Sequence, residues 1–319
     1  FPVSDKSSDV LDAFSRRLRA LGVTVKLDET VLNCRAENGR IIEVTTNRAT
    51  YKPDAVITAT GGLSYPLTGS TGDGYKFASN LGHSVIKPCS ALCPIILSGA
   101  YDAGDRFVSR NTLQFPQGLS LKNVSLKCAV SGKKKALYDE LGEMLFMDNG
   151  ISGPLVLSAS SKINRQDVQT IKLSIDLKPA LSLDMLDQRL LRDFKAANTK
   201  QFKNALNDLL PKSLISYIIC LSNIDEYKPV NVISKEERMG LAKIIKSLTF
   251  KVESLGTIKE SIITAGGVST KEISPTTMQS KLVSNLYFAG EVIDVDALTG
   301  GFNLQVAFST AYLAGKNAQ

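Results

Sequence analysis

Two stretches near the C-terminus combine residue types at a spacing suited to holding an anionic ring. In Thr299-Gly-Gly-Phe-Asn-Leu-Gln305, paired glycines let the backbone turn tightly and come close to a ligand. The helix expected from about 302 to 315 presents free N–H groups at its start, which favours negative charge there. A reduced flavin carries such charge at the N1/O2 edge of its ring; taken alone, a plain turn into a helix accounts for these residues equally well. Just upstream, Leu286-Tyr-Phe-Ala-Gly-Glu291 reads as a buried strand ending in glycine and then a carboxylate. A carboxylate so placed can accept hydrogen bonds from ribityl or sugar hydroxyls, although at a strand end it is usually just solvated.

Other candidates carry less. His83 is the only histidine, so a multi-histidine metal site or a Ser-His-Asp triad with a choice of histidines is excluded. It follows the helix-ending Gly82, which suits a structural or capping role. Cys89 and Cys93 lie four apart and could form a redox pair, but nothing in the sequence lowers their thiol pKa; inert thiols are the preferred reading. Asp294 and Asp296 have no further ligands at useful spacing and read as loop or cofactor-edge carboxylates, so no metal site is assigned.

The elements that position these residues follow from periodicity. Ser8 is expected to cap a helix with Val10, Phe14, Leu18 and Leu21 on one face, ended by Gly22. Val23–Leu27 alternates as a strand, and Asn38-Gly39 marks a hairpin between 30–36 and 41–46. Asp54–Thr60 has the apolar run of a buried parallel strand, stopping at Gly61-Gly62. A helix from about Asp73 to Leu81, with Thr71 as its cap, ends at Gly82. Residues 97–175 are strand-rich, with a short helix opened by Gly153-Pro154. Residues 181–247 are helical, Pro211 marking a start or break, and strands return from 248. The domain plan is therefore 1–96 as the first part of an α/β domain, 97–180 as a β-rich insert, 181–247 as a helical insert and 248–319 as the return.

The 319 residues, 43% hydrophobic and 22% charged, suit a two- or three-domain globular protein. No apolar run approaches membrane-spanning length, and the N-terminal residues show no basic-then-apolar signal-peptide pattern. Five cysteines without a secretion signal favour reduced thiols and a cytoplasmic location. The net charge of +7 could serve nucleic acid or an anionic cofactor. Its one tight cluster, Lys133-Lys134-Lys135, has no interleaved aromatics, so a solvated lysine-rich surface is the preferred reading.

The motifs taken in order resemble the BaiN-like family of bacterial NAD(P)/FAD-dependent oxidoreductases, also labelled aminoacetone-oxidase-like. Beyond the two C-terminal runs, the markers are Phe1-Pro-Val-Ser-Asp5, Thr58-Ala-Thr-Gly-Gly62, Tyr65-Pro66, Thr68-Gly-Ser-Thr-Gly-Asp-Gly-Tyr75, Leu81-Gly-His83, Gly150-Ile-Ser-Gly-Pro154 and Thr264-Ala-Gly-Gly-Val268. The resemblance implies an α/β fold: an interrupted FAD/NAD(P)-binding Rossmann-like domain with a β-rich, barrel-like insert and a helical insert. It also implies bound FAD, NAD(P)H as reductant and a small-molecule acceptor. By motif, Gly290 and Glu291 would meet the ribityl and pyrophosphate region, and Gly301, Phe302, Asn303 and Leu304 the pyrimidine edge. Thr60, Gly61 and Gly62 would form the strand-end turn against the cofactor, Val31 would approach the adenine, and Gly266 and Gly267 would leave room for the ring. If a proton donor is needed, Tyr65 is the first side chain to test; packing beside Pro66 is its alternative.

Two departures qualify this. The chain contains no G-x-G-x-x-G unit, and it opens without methionine, almost directly in a helix. These features suggest a start inside a domain and a chain that could be isolated without flavin. Where the family usually reads Phe-Thr-His, this chain has Phe146-Met-Asp-Asn149, so any proton work by that histidine is absent here. The competing reading from another class is a non-catalytic module whose β-rich insert and basic surface engage nucleic acid.

Overall fold

A computed structural model describes residues 2–133 and 135–318. The expectations attached to Phe1 and Lys134 lie outside the described residues.

Chain order explains the layout. α1 (Ser7–Ala20) leads to an antiparallel meander of β1 (Val31–Glu37), β2 (Arg40–Thr46) and β3 (Thr50–Tyr51). At the β1–β2 turn Asn38 and Gly39 have φ of 49° and 71°, the paired positive values that favour Asn-Gly in a two-residue hairpin. β4 (Val56–Thr58), α2 (Asp73–Asn80) and β5 (Val85–Ala91) follow.

Then comes a run of strands, β6 (Ile95–Tyr101), β7 (Phe107–Ser109), β8 (Ser120–Val130), β9 (Ala136–Phe146) and β10 (Gly150–Ser152), ending in α3 (Pro154–Ile163) and β11 (Ile171–Asp176). The helices α4 (Leu183–Ala197), α5 (Lys212–Ser222) and α6 (Lys235–Lys246) precede β12 (Leu248–Leu255), β13 (Ile263–Val268), β14 (Leu286–Phe288) and α7 (Phe302–Asn317).

The sheet runs β10-β9-β8-β11-β12-β6-β7, and β10 also pairs with β6. Six antiparallel strands thus close into a barrel, which removes their free edges. Alternation along β11 sends Ile171, Leu173 and Ile175 inward and Lys172 outward, as the two-residue period requires. Phe115, Phe146, Phe250 and Tyr217 pack against one another inside, Phe115 meeting Phe250 edge-on and the other pairs tilted, and Leu186, Leu190, Leu214, Leu241 and Ile245 from α4–α6 join the same core. β12 belongs to this barrel, so the strand beginning at 248 is its closing member and the chain leaves it only after Leu255.

A second, smaller core gathers Ile41, Tyr75, Ala78, Val268, Tyr287, Phe288 and Val292 around a parallel pair, β4 with β14. This is the mixed α/β, Rossmann-like part. The barrel-like insert and α/β class expected from the sequence are present.

Several local expectations are corrected. The N-cap of α1 is Lys6, with no side-chain cap; Ser8 sits inside the helix. Val23–Leu27 forms no strand, because those residues find no neighbouring edge to pair with. The expected strand 54–60 shortens to Val56–Thr58, of mixed exposure; Gly61, three residues beyond its end, turns the chain with φ of 72°. Gly72, not Thr71, caps α2; the Thr71 hydroxyl donates to Asp73 instead, at 2.8 Å.

Candidate functional site

The ends of β4, β13 and β14 converge on the start of α7. Glu291 follows β14, and its Oε1 accepts hydrogen bonds from the Thr264 N–H at 2.6 Å and the Ser64 hydroxyl at 3.0 Å. Thr264 Oγ1 in turn accepts from the N–H groups of Leu63 and Ser64 at 2.8 and 3.0 Å. One carboxylate oxygen is therefore tied to Ser64 and to Thr264 of β13, while Oε2 accepts no hydrogen bond among the described residues. A Cβ on Gly62 would lie 2.5 Å from Thr264 Oγ1 and 2.8 Å from Glu291 Oε1, so only glycine lets this knot close. Thr264 and Ser64 were not singled out by sequence reasoning as site residues; short polar side chains become informative only once the fold brings them to Glu291.

Beside this knot lies a cavity of about 460 Å³ walled by Leu92, Ile263, Gly290, Glu291, Leu298, Gly301, Asn303 and Leu304. Most of its surface is apolar. At its floor, Gly300 and Gly301 have φ of 115° and 86°, and the space a Cβ on Gly301 would take is open. The first backbone bond of α7 is Gln305 N–H to Gly301 O, which leaves the N–H groups of Phe302, Asn303 and Leu304 without helical acceptors. The Asn303 amide is spent on the loop: its Oδ1 accepts from Ala297 N–H at 2.9 Å and its Nδ2 donates to Ala297 O at 2.8 Å. A larger cavity, about 570 Å³, opens beside α5 among Lys203, Asn204, Asn207 and Lys212, remote from these glycines.

The other expected positions divide. Thr60, Gly61 and Gly62 lie just beyond the end of β4, and the buried Thr60 Oγ1 has no partner among the described residues. The Tyr75 hydroxyl is likewise buried and unpartnered, and burial, then the negative charges of Glu291 and Asp294, push it well above the ordinary tyrosine range. Phe302 is 59% exposed and does not wall the cavity.

At Gly266 and Gly267 the fold itself calls for glycine. Their missing side chains admit the Lys87 and Val292 carbonyls, each 2.6 Å from where a Cβ would stand. Val31 opens β1 in the meander and is not among the residues that wall the cavity. Tyr65 is exposed, follows Ser64 and holds φ of 52°, an outlier of the kind that concentrates at functional sites.

His83 is structural: Nε2 lies 2.8 Å from Ser280 Oγ, Nδ1 3.3 Å from Glu272, and its ring meets Phe288 edge-on. Burial raises both the Cys89 and Cys93 thiols, so neither is primed as a thiolate. Asp294 pairs with Arg165 at 3.3 Å. Among the described residues, no three His, Cys, Asp or Glu side chains cluster to hold a metal, and no helix is long and apolar enough to cross a membrane.

Comparison with known families decides the ancestry. The model of the HI0933-like protein Rossmann domain matches residues 1–317. The chain belongs to this family. The resemblance read from its motifs is thereby borne out.

Curated relatives of this HI0933-like chain include a 3-dehydro-bile acid delta(4,6)-reductase from Clostridium scindens, 26% identical over all of this chain and 75% of the relative. A ribosomal RNA dihydrouridine synthase from Haemophilus influenzae is 34% identical over 83% of the chain and 60% of its own length. The Escherichia coli protein of the same name is 29% identical over 98% of the chain and 72% of its own length. The HI0933-like chain thus spans about three-fifths to three-quarters of the relatives it matches.

Proposed function

We propose that this chain belongs to an FAD-dependent reductase that uses NAD(P)H to reduce a carbon–carbon double bond conjugated to a carbonyl. The observation that carries the reading is the cavity at the start of α7, where an open glycine turn, three unpaired N–H groups and the free oxygen of Glu291 meet. These residues fit a flavin. The N–H groups of 302–304 would face the pyrimidine edge and stabilise its charge. Glu291 would accept from ribityl hydroxyls, Gly290 would let the backbone pass closely, and Leu92, Ile263 and Leu298 would exclude water. Thr60, Gly61 and Gly62 would hold the turn against the cofactor. When bound, a flavin would supply hydride transfer between NAD(P)H and the acceptor.

The class of acceptor comes from what the relatives' names share. The delta(4,6) double bonds conjugated with a 3-oxo group and the 5,6 bond of uridine conjugated with its 4-carbonyl are all alkenes polarised by a carbonyl. Reduction places hydride on the β-carbon and a proton on the α-carbon, and Tyr65 is the donor to test first. The non-catalytic reading gains nothing from a glycine-built apolar cavity.

The test is titration of FAD, followed by NADH and NADPH oxidation with a conjugated enone and with uridine. Saturable quenching of flavin fluorescence and acceptor-dependent oxidation are expected. Failure to bind FAD, both in this chain and in a chain as long as its relatives, would overturn the proposal.

A further inference from the structure

One helix serves two cavities. α3 opens at Gly153, whose φ of 98° leads into Pro154, and a Cβ there would stand 3.0 Å from Met144 Cα of β9. A Cβ on Gly142 of β9 would likewise meet Leu155 at 3.3 Å. The two glycines let α3 lie close against β9, and the two-residue period puts Tyr138 on the same face of that strand as Gly142. The other side of α3 holds the wall of the candidate flavin cavity. Ser161 Oγ accepts from Leu92 N–H at 3.1 Å and Ser160 Oγ from Cys93 N–H at 3.0 Å, and Leu157 packs on the cluster of Leu92 and Ile263.

Where α3 meets β9 there is a cleft of about 390 Å³ lined by Tyr138, Ser158, Lys162 and Leu298. Leu298 also walls the flavin cavity, so the two spaces share a wall; Tyr65 walls neither. Ser158 is buried, and Lys162, one turn further along α3, is exposed. Two carboxylates, Asp139 and Glu140, also line the cleft, Asp139 pairing with Lys127 at 3.3 Å. Burial, and then the charge of Glu140, raise the Tyr138 hydroxyl above the ordinary tyrosine range, against the pull of the Ser158 hydroxyl. The phenol therefore keeps its proton at neutral pH.

We infer that this cleft is the subsite of the acceptor, with Tyr138 giving the proton to the α-carbon and Lys162 holding the carbonyl oxygen. The inference rests on the conjugated-alkene reading above. Hydride that originates on NAD(P)H adds to the β-carbon, and the electron pair of the alkene moves toward the carbonyl oxygen as an enolate, whose charge the Lys162 ammonium stabilises. The Tyr138 O–H bond breaks as the bond from the α-carbon to hydrogen forms, and solvent returns a proton to the tyrosinate. With two carboxylates beside one lysine, the cleft suits a neutral carbonyl compound rather than an unsaturated acid.

The experiment has two arms. Without flavin or nicotinamide, the full chain is titrated with dimethylaminocinnamaldehyde, a neutral conjugated aldehyde whose absorption moves to longer wavelength when its oxygen is polarised. The chain is expected to shift the band, and K162Q to bind about tenfold more weakly with the shift lost. Tyr138→Phe is expected to keep the shift, which also shows the cleft intact. In the second arm, stopped-flow absorbance follows the FAD-loaded protein through reduction by NADPH and reoxidation by cyclohexenone. Tyr138→Phe is expected to slow reoxidation at least about a hundredfold and leave reduction unchanged; a merely structural role would slow both. An unshifted band with the unmodified chain, or loss of reoxidation in Tyr65→Phe instead, would overturn the inference. Reoxidation at full rate in Tyr138→Phe would also overturn it and leave the flavin reading standing. Failure to bind FAD would remove that reading, while an aldehyde shift lost in K162Q would still support the cleft as a carbonyl subsite.

Discussion

The barrel with its helices and the α/β region solve the burial problem differently. In the first, strands close on themselves and α3–α6 meet a continuous core running from Ile95 to Val252. In the second, α1 buries none of its residues, and α7 exposes Phe302, Leu304, Phe308 and Tyr312, with Phe14 of α1 meeting Phe308 at 6.0 Å. The difference separates two tasks. Closure gives the barrel its stability, while the α/β region keeps glycine turns, unpaired donors and apolar surface available for a ligand. Stability and chemistry should therefore respond to different substitutions.

The largest effect is expected in the barrel. Phe250→Ala removes a ring that is fully buried against Phe115 and Phe146, which should cost about 3–5 kcal/mol. Phe14→Ala, at a half-exposed position, should cost under about 1 kcal/mol. Urea denaturation of both variants checks this, and equal losses would break the comparison.

Next in size is Gly62→Ala. Its Cβ would collide with Thr264 Oγ1 and Glu291 Oε1, so FAD affinity should fall by tenfold or more while the barrel's unfolding midpoint stays put. Glu291→Gln keeps the shape but replaces the charged acceptor with a weaker one; roughly tenfold weaker FAD binding, read by fluorescence quenching, sharpens the assignment. A normal FAD affinity in both variants would move the ligand elsewhere.

Much of this was legible in the sequence, for reasons that differ by element. The Asn38-Gly39 hairpin is encoded by residues that tolerate positive φ, and the C-terminal Gly-Glu and Gly-Gly turns are punctuated by glycine. The meeting of Tyr138 with Ser158 and Lys162 was not legible, because it depends on how closely α3 packs on β9. Gly266 and Gly267 show the opposite case. The glycines are conspicuous, but it is the Lys87 and Val292 carbonyls that require them, and no local pattern announces that. The Val23–Leu27 alternation had the right period for a strand but no partner edge.

The smallest expected effect is on pH dependence. Burial holds the His83 imidazole below the ordinary histidine range, against the opposing pull of Glu272. The unfolded chain therefore binds the proton more readily, and this contribution to stability is present above about pH 6.5 and lost as pH falls. His83→Gln should flatten the decline between roughly pH 6.5 and 5, measured as ΔG of unfolding; an unchanged slope would assign the decline to other groups.

The central claim is that the start of α7 and the knot around Glu291 form the flavin-facing surface. Hydrogen exchange with and without saturating FAD tests it most directly. Slowed exchange confined to amides of residues 58–64 and 290–307, with β8, β9, β11 and β12 unchanged, is the predicted result. Protection centred on the barrel, or none at 290–307 with FAD bound, would contradict it.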